Sequence, residues 1–117
     1  GGDDFDNRLF NYCLEYFCRF YNIDKNLILN NKILMKKLKK QCENSKKALS
    51  TKFETNIYID EFLDGKDLDV KISRARFEEL CKDLFDKLLY HVEKVLNYAK
   101  INKADIKEVV LIVGLKK

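Results

Sequence analysis

The sequence contains no proline and no tryptophan, and only four glycines, one methionine and one histidine. Loop-rich and all-β scaffolds rely on proline and glycine at their turns, so this scarcity beside plentiful Leu, Lys, Glu and Phe points to long helices. No apolar run approaches the roughly 18 residues needed to cross a bilayer, and the start does not resemble a signal peptide, so no membrane partner is expected and the chain reads as soluble. The four cysteines, Cys13, Cys18, Cys42 and Cys81, lack the close paired spacing of a zinc site or a redox dithiol. They read as buried free thiols in a reducing compartment, which makes the protein intracellular, with the cytoplasm as the first choice and an organelle as the alternative. One-sided charge is also missing. The net charge of +4 is spread among interspersed acids, which argues against nucleic acid as the partner.

What is present is enough apolar material, 46% of 117 residues, for one modest folded core. Asp3 or Asp4 can cap a first helix that runs to about Asn22. Apolar residues from Phe5 through Phe20 and Tyr21 take most of its circumference, which calls for neighbours on several sides. A polar turn around Asp24 to Asn31 precedes a second helix to about Ser50, with Leu34, Leu38, Cys42, Ser45 and Leu49 as its inward stripe. From Thr51 the period drops to two. Phe53, Thr55, Ile57 and Ile59 form one strand face, and Leu68, Val70 and Ile72 form the face of a second strand after Asp64-Gly65. The two make an antiparallel hairpin whose connection is longer than two residues.

Ser73 can cap a further helical pattern to about Lys100, through Phe77, Leu80, Leu84, Leu88, Val92, Val95 and Ala99. Its length predicts a break near Asp86 to His91. The apolar run Val109 to Val113 has the pattern of a strand buried on both faces, ending at Gly114. A lone strand of that kind needs partners, and none lies nearby in the segment. The fold class is therefore α+β: helical segments, an antiparallel hairpin and a terminal strand. The start at Gly1-Gly2 and the stop soon after an apolar run are read as the ends of an excised piece, residues 1–117 forming a single fragment.

Glu43, Lys46, Lys47 and Ser50 stand at i, i+3, i+4 and i+7, a spacing that lines four polar side chains along the second helix. They can grip one ligand, or form a solvated face with an ordinary Glu43–Lys47 ion pair. Asp3, Asp4 and Asp6 are explained by capping and first-turn acidity rather than by a metal, so no metal ligand is assigned. His91 has no triad partner nearby, and no catalytic residue is assigned.

Gly1-Gly2-Asp3-Asp4-Phe5-Asp6-Asn7-Arg8, Cys42-Glu43-Asn44-Ser45-Lys46-Lys47-Ala48-Leu49-Ser50 and Ser73-Arg74-Ala75-Arg76-Phe77-Glu78-Glu79-Leu80 closely resemble, in order and spacing, three motifs of the seventy-kilodalton heat-shock chaperones. A short apparent insertion near Leu27 to Asn30 is the main interruption. The resemblance implies the second lobe of an actin-like ATPase domain, mainly its outer subdomain with a strand of the inner one. It implies ATP or ADP as ligand, held weakly by this piece alone, with magnesium in the intact parent. By the same resemblance, Glu43 and Ser50 would hydrogen-bond to adenosine, Lys46 and Lys47 would flank the base or ribose, and Gly114 would belong to a turn near it.

The resemblance further implies nucleotide-exchange factors, the missing ATPase lobe and, through another domain of the parent, unfolded clients as partners. The fragment itself is expected not to hydrolyse ATP. Two departures bear on this reading. Lys47 stands where the family usually has Arg, which lowers the capacity to stack on adenine. Val113-Gly114-Leu115-Lys116-Lys117 stands where the family has Gly-Gly-Ser-Thr-Arg, which marks either a degenerate paralogue or a replaced end. The alternatives are a protein-interaction module and a paralogue without useful nucleotide binding.

Overall fold

A computed structural model describes residues 2–96 and 102–116. Helix α1 (Gly2–Tyr21) begins early enough that Asp3 and Asp4 lie inside its first turn rather than capping it. The negative charge of Asp4 still suits the positive end of the helix dipole. Asn22, at φ 54°, ends the helix in the left-handed conformation, and the Ile23 amide then donates back to the Cys18 carbonyl at 2.9 Å. Phe5, Leu9, Phe10, Cys13, Leu14 and Phe17 are buried, whereas Phe20, counted with the apolar face in the sequence, is 66% exposed.

A four-residue helix α2 (Asn26–Leu29) occupies the expected turn, and α3 (Lys32–Ala48) follows, with Asn31 Oδ1 accepting from the amides of Ile33 and Leu34. Its buried stripe of Leu34, Leu38, Cys42, Ser45 and then Leu49 follows the predicted spacing. Strands β1 (Glu54–Leu63) and β2 (Lys66–Ser73) pair antiparallel, with Ile57 opposite Val70 and Ile59 opposite Leu68. Ile57, Leu68, Val70 and Ile72 are buried, as their alternation requires.

The connection is shorter than the sequence implied. Leu63 pairs with Lys66, so only Asp64 and Gly65 turn the chain, both at positive φ as a tight hairpin turn demands. The extra length is taken up inside β1 by a bulge at Glu61, φ 46°, whose amide donates to Asp67 Oδ1 at 2.8 Å. The bulge turns Phe62 inward, where its ring packs edge-on against Phe17. Phe53 falls outside the strand and is 80% exposed, with the Arg74 guanidinium 4.9 Å from its ring centre.

Two further expectations are corrected. The long C-terminal helix breaks at Cys81, between α4 (Arg74–Leu80) and α5 (Lys82–Leu96), and α5 runs unbroken through residues 86–91. At the break Arg8 Nη1 takes the Leu80 carbonyl at 2.8 Å, and a side chain inserted into the helical ladder is an ordinary cause of a kink. The expected continuation through Ala99 to Lys100 lies outside the described residues.

Residues 109–113, expected as a strand, are instead helical within α6 (Lys103–Lys116). The sheet has two strands and α6 joins neither; coiled into a helix, the segment satisfies its own backbone groups. Asn102 Oδ1 accepts from the Ala104 amide at the start of α6. Ile106, Val110 and Leu115 turn inward while Val109 and Val113 stay exposed. The radius of gyration is 16.1 Å, where a compact chain of this length gives about 13 Å, so the molecule is elongated. No described helix is long and apolar enough to cross a membrane.

Candidate functional site

Helix α3 presents Glu43 and Lys47 to solvent one turn apart, with Lys47 Nζ 3.3 Å from Glu43 Oε1. The hydrogen bond from Lys47, then the charges of Lys40 and Lys47, hold the Glu43 carboxyl below its ordinary value. Ser50 sits half-buried just past the helix end. Its Oγ donates to the Lys47 carbonyl at 2.6 Å, so the hydroxyl oxygen is left to accept from a ligand. Glu43 also rims an open groove of about 690 Å³, shared with Lys36, Lys40 and, from β1, Ile59.

Lys46 does not share this exposed face. Its side chain is 0% exposed, and Nζ lies 2.8 Å from Asp6 Oδ1 on α1, whose side chain is 25% exposed. The two atoms touch without the alignment of a directed hydrogen bond, so the attraction is one of charge in a water-poor setting. Gly114 lies inside α6 rather than in a turn. A Cβ there would stand 2.7 Å from Phe85 Cε1 and 3.5 Å from Phe5 Cζ, so the glycine is what lets α6 approach α5 and α1.

Three residues outside the predicted site tie the elements around it together. Arg74 Nε donates to the Leu49 carbonyl at 2.7 Å and Nη2 to the Lys52 carbonyl at 3.3 Å, which holds the carbonyl end of α3 against the start of α4. Arg8 clamps Asp83 with two bonds of 2.7 Å, holding the Asp83 carboxyl down at about 2 and tying α1 to α5. Asp6 fixes Lys46, and with it the distance between α1 and α3. Asp6 and Arg8 lie in the first of the three motifs and Arg74 in the third, but only the folded chain supplies their partners. Among the described residues no group of three or more His, Cys, Asp or Glu side chains could hold a metal ion.

The family model described as Hsp70 protein matches residues 1–117. The "Heat shock cognate 70 kDa protein 3" of Dictyostelium discoideum is 43% identical over 97% of this chain and 18% of its own length. The "Heat shock 70 kDa protein" of Penicillium citrinum is 43% identical over 97% of this chain and 22% of its own length. The "Putative heat shock 70 kDa protein 7" of Homo sapiens is 44% identical over 98% of this chain and 30% of its own length. The chain thus spans less than a third of the length of each of these relatives. A match over every residue, with the hairpin and the helices around it folded as one α+β unit, leaves one conclusion: the chain belongs to the Hsp70 family.

Proposed function

We propose that residues 1–117 form the second lobe, mainly the outer subdomain, of a chaperone's ATP-binding domain, and that α3 contributes its adenosine-contacting face. The observation that carries the reading is the exposed Glu43–Lys47 pair with Ser50 beside it, in a chain whose full length matches the family. The carbonyl end of a helix carries negative partial charge, so together with Glu43 it suits the hydroxyl donors of a ribose rather than phosphate. Lys47 covers the base or ribose, and Lys46 reaches it only by leaving Asp6. Gly114 joins the site only where α6 opens.

In the parent, ATP binding and hydrolysis are coupled to unfolded-protein binding. Magnesium and the phosphate apparatus are supplied from outside this segment, which has no ATPase activity of its own. The other lobe completes the nucleotide site, and exchange factors dock on this subdomain. Free thiols fit an intracellular compartment. Photolabelling with an azido-adenine analogue of ADP, followed by peptide mapping, tests the reading. Label on the peptide carrying residues 43–50 is expected, and label confined to other peptides contradicts it.

A second reading as an interaction module is favoured by the same groove, whose wall of Lys36, Lys37, Lys39 and Lys40 lies beside the apolar side chains of Ile33 and Ile59. It requires only one folded subdomain, and it is compatible with the first.

A further inference from the structure

The four cysteines are scattered in sequence, but the fold brings two of them into contact across the interface of α1 and α3. Cys42 Sγ lies 4.0 Å from Cys13 Sγ, the two residues being separated by 29 positions, and both side chains are 0% exposed. Cys81 is buried at the break between α4 and α5, and Cys18 is half-buried on α1. We propose that Cys13 and Cys42 are a latent dithiol, converted by small-molecule disulfides into an intrachain Cys13–Cys42 bond that staples α1 to α3. The inference does not depend on the nucleotide reading.

Closing the sulfurs from 4.0 Å to the roughly 2.05 Å of a disulfide requires about 2 Å of approach, within reach of side-chain rotation and a small helix shift. The contact with Cys42 and then burial push the Cys13 thiol up from its ordinary value. At rest both sulfurs are shut away from any reagent, and reaction begins when the α1–α3 interface opens locally. One cysteine loses its proton and attacks a sulfur of the reagent disulfide, forming a mixed disulfide and releasing one reagent thiolate. The second cysteine, deprotonated in turn, attacks the protein sulfur of that mixed disulfide and expels the second reagent thiolate. Two electrons pass from the cysteine pair to the reagent, and the two cysteine protons end on the two released thiols. Recoil of the helices then traps the bond in the core. The device responds to oxidant only when the fold is loosened, which distinguishes it from an exposed thiol that reacts at once.

Incubation of the folded Cys18→Ser chain with oxidised glutathione, followed by alkylation and non-reducing peptide mapping, tests the proposal. The expected product is a Cys13–Cys42 linked peptide lighter by two hydrogens, with Cys81 alkylated. The free-thiol titre falls from three to one, and in urea the same oxidation yields mixed pairings. The unsubstituted chain, mapped in the same way, must show the same native linkage however the variant folds. Glutathione adducts at Cys13 or Cys42 without the linked peptide, unreacted thiols at both after prolonged oxidation, or the same mixture of pairings in native and urea samples would overturn it.

Discussion

Lys46 and Asp6 meet 2.8 Å apart between α3 and α1, with the lysine side chain wholly removed from solvent and the aspartate only partly so. Charge pairs of this kind are costly to break one-sidedly, because the surviving ion is stranded. Asp6→Ala is expected to lower unfolding stability by about 3 kcal/mol or more, since it leaves the buried ammonium alone. Lys46→Met fills the same space without a charge and strands a carboxylate that is 25% exposed rather than an ammonium that is wholly buried, so it should cost less. Urea unfolding of the two variants checks the asymmetry; equal losses would contradict it.

The Arg8–Asp83 clamp sets part of the acid limit of stability. Arg8 lowers the Asp83 carboxyl to about 2 from an ordinary 3.8, so its folded value is depressed. Its contribution is therefore fully present above 3.8 and is lost as pH falls towards 2. Asp83→Asn should reduce the urea midpoint at neutral pH, and the difference from the parent chain should shrink across that window and vanish below it. A difference independent of pH would mean that the carboxylate charge is not what the clamp uses.

Gly114→Ala sets two effects against each other. Alanine improves helix propensity by about 1 kcal/mol. Its Cβ, however, would sit 2.7 Å from Phe85 Cε1, on a ring already packed against Phe5 at 4.8 Å and so poorly able to move. Overpacking of this sort costs about 1 to 3 kcal/mol, so a net fall in melting temperature is expected. Adding Phe85→Leu, which removes the ring edge, should recover the loss relative to Phe85→Leu alone. A stabilised single variant would show that α6 does not pack there.

The inward stripes of the hairpin and of α3 were legible in the sequence, because each follows a single period, whereas the two-residue turn and the bulge at Glu61 were not. Ile57, Leu68, Val70 and Ile72 alternate inward, and Leu34, Leu38 and Cys42 repeat along one stripe. The sequence carried Lys46 poorly. At about 100° per residue, Lys46 projects roughly 60° from Glu43 but only roughly 40° from Cys42, so it sits on the boundary between the exposed face and the core. Asp6, remote in sequence, decides the side. The break at Cys81 was hidden for a similar reason: it depends on Arg8 taking the Leu80 carbonyl, and no proline signals it.

Residues 109–113 are an apolar, mostly β-branched run with strand propensity, but propensity yields to whatever satisfies the backbone. Among the described residues the sheet has two strands, and Val109 to Val113 coil into α6 instead of adding a third. The Cys13–Cys42 contact, spanning 29 positions, was equally beyond any reading of local spacing.

The end of α3 is proposed as an adenosine-contacting face, and NMR titration of the isotope-labelled chain with ADP would reveal it. A helix face leaves most of a nucleotide exposed, whereas effective small-molecule sites bury roughly 70 to 90% of their ligand, so affinity on the order of millimolar is expected. Amide shifts should centre on Glu43, Lys47 and Ser50 and weaken in Ser50→Ala. They should strengthen in Lys47→Arg, whose flat guanidinium stacks on adenine with a gain of up to about 1 kcal/mol. No response from residues 43–50 at millimolar ADP, or saturable shifts centred on another element, would rule out this face as the adenosine contact.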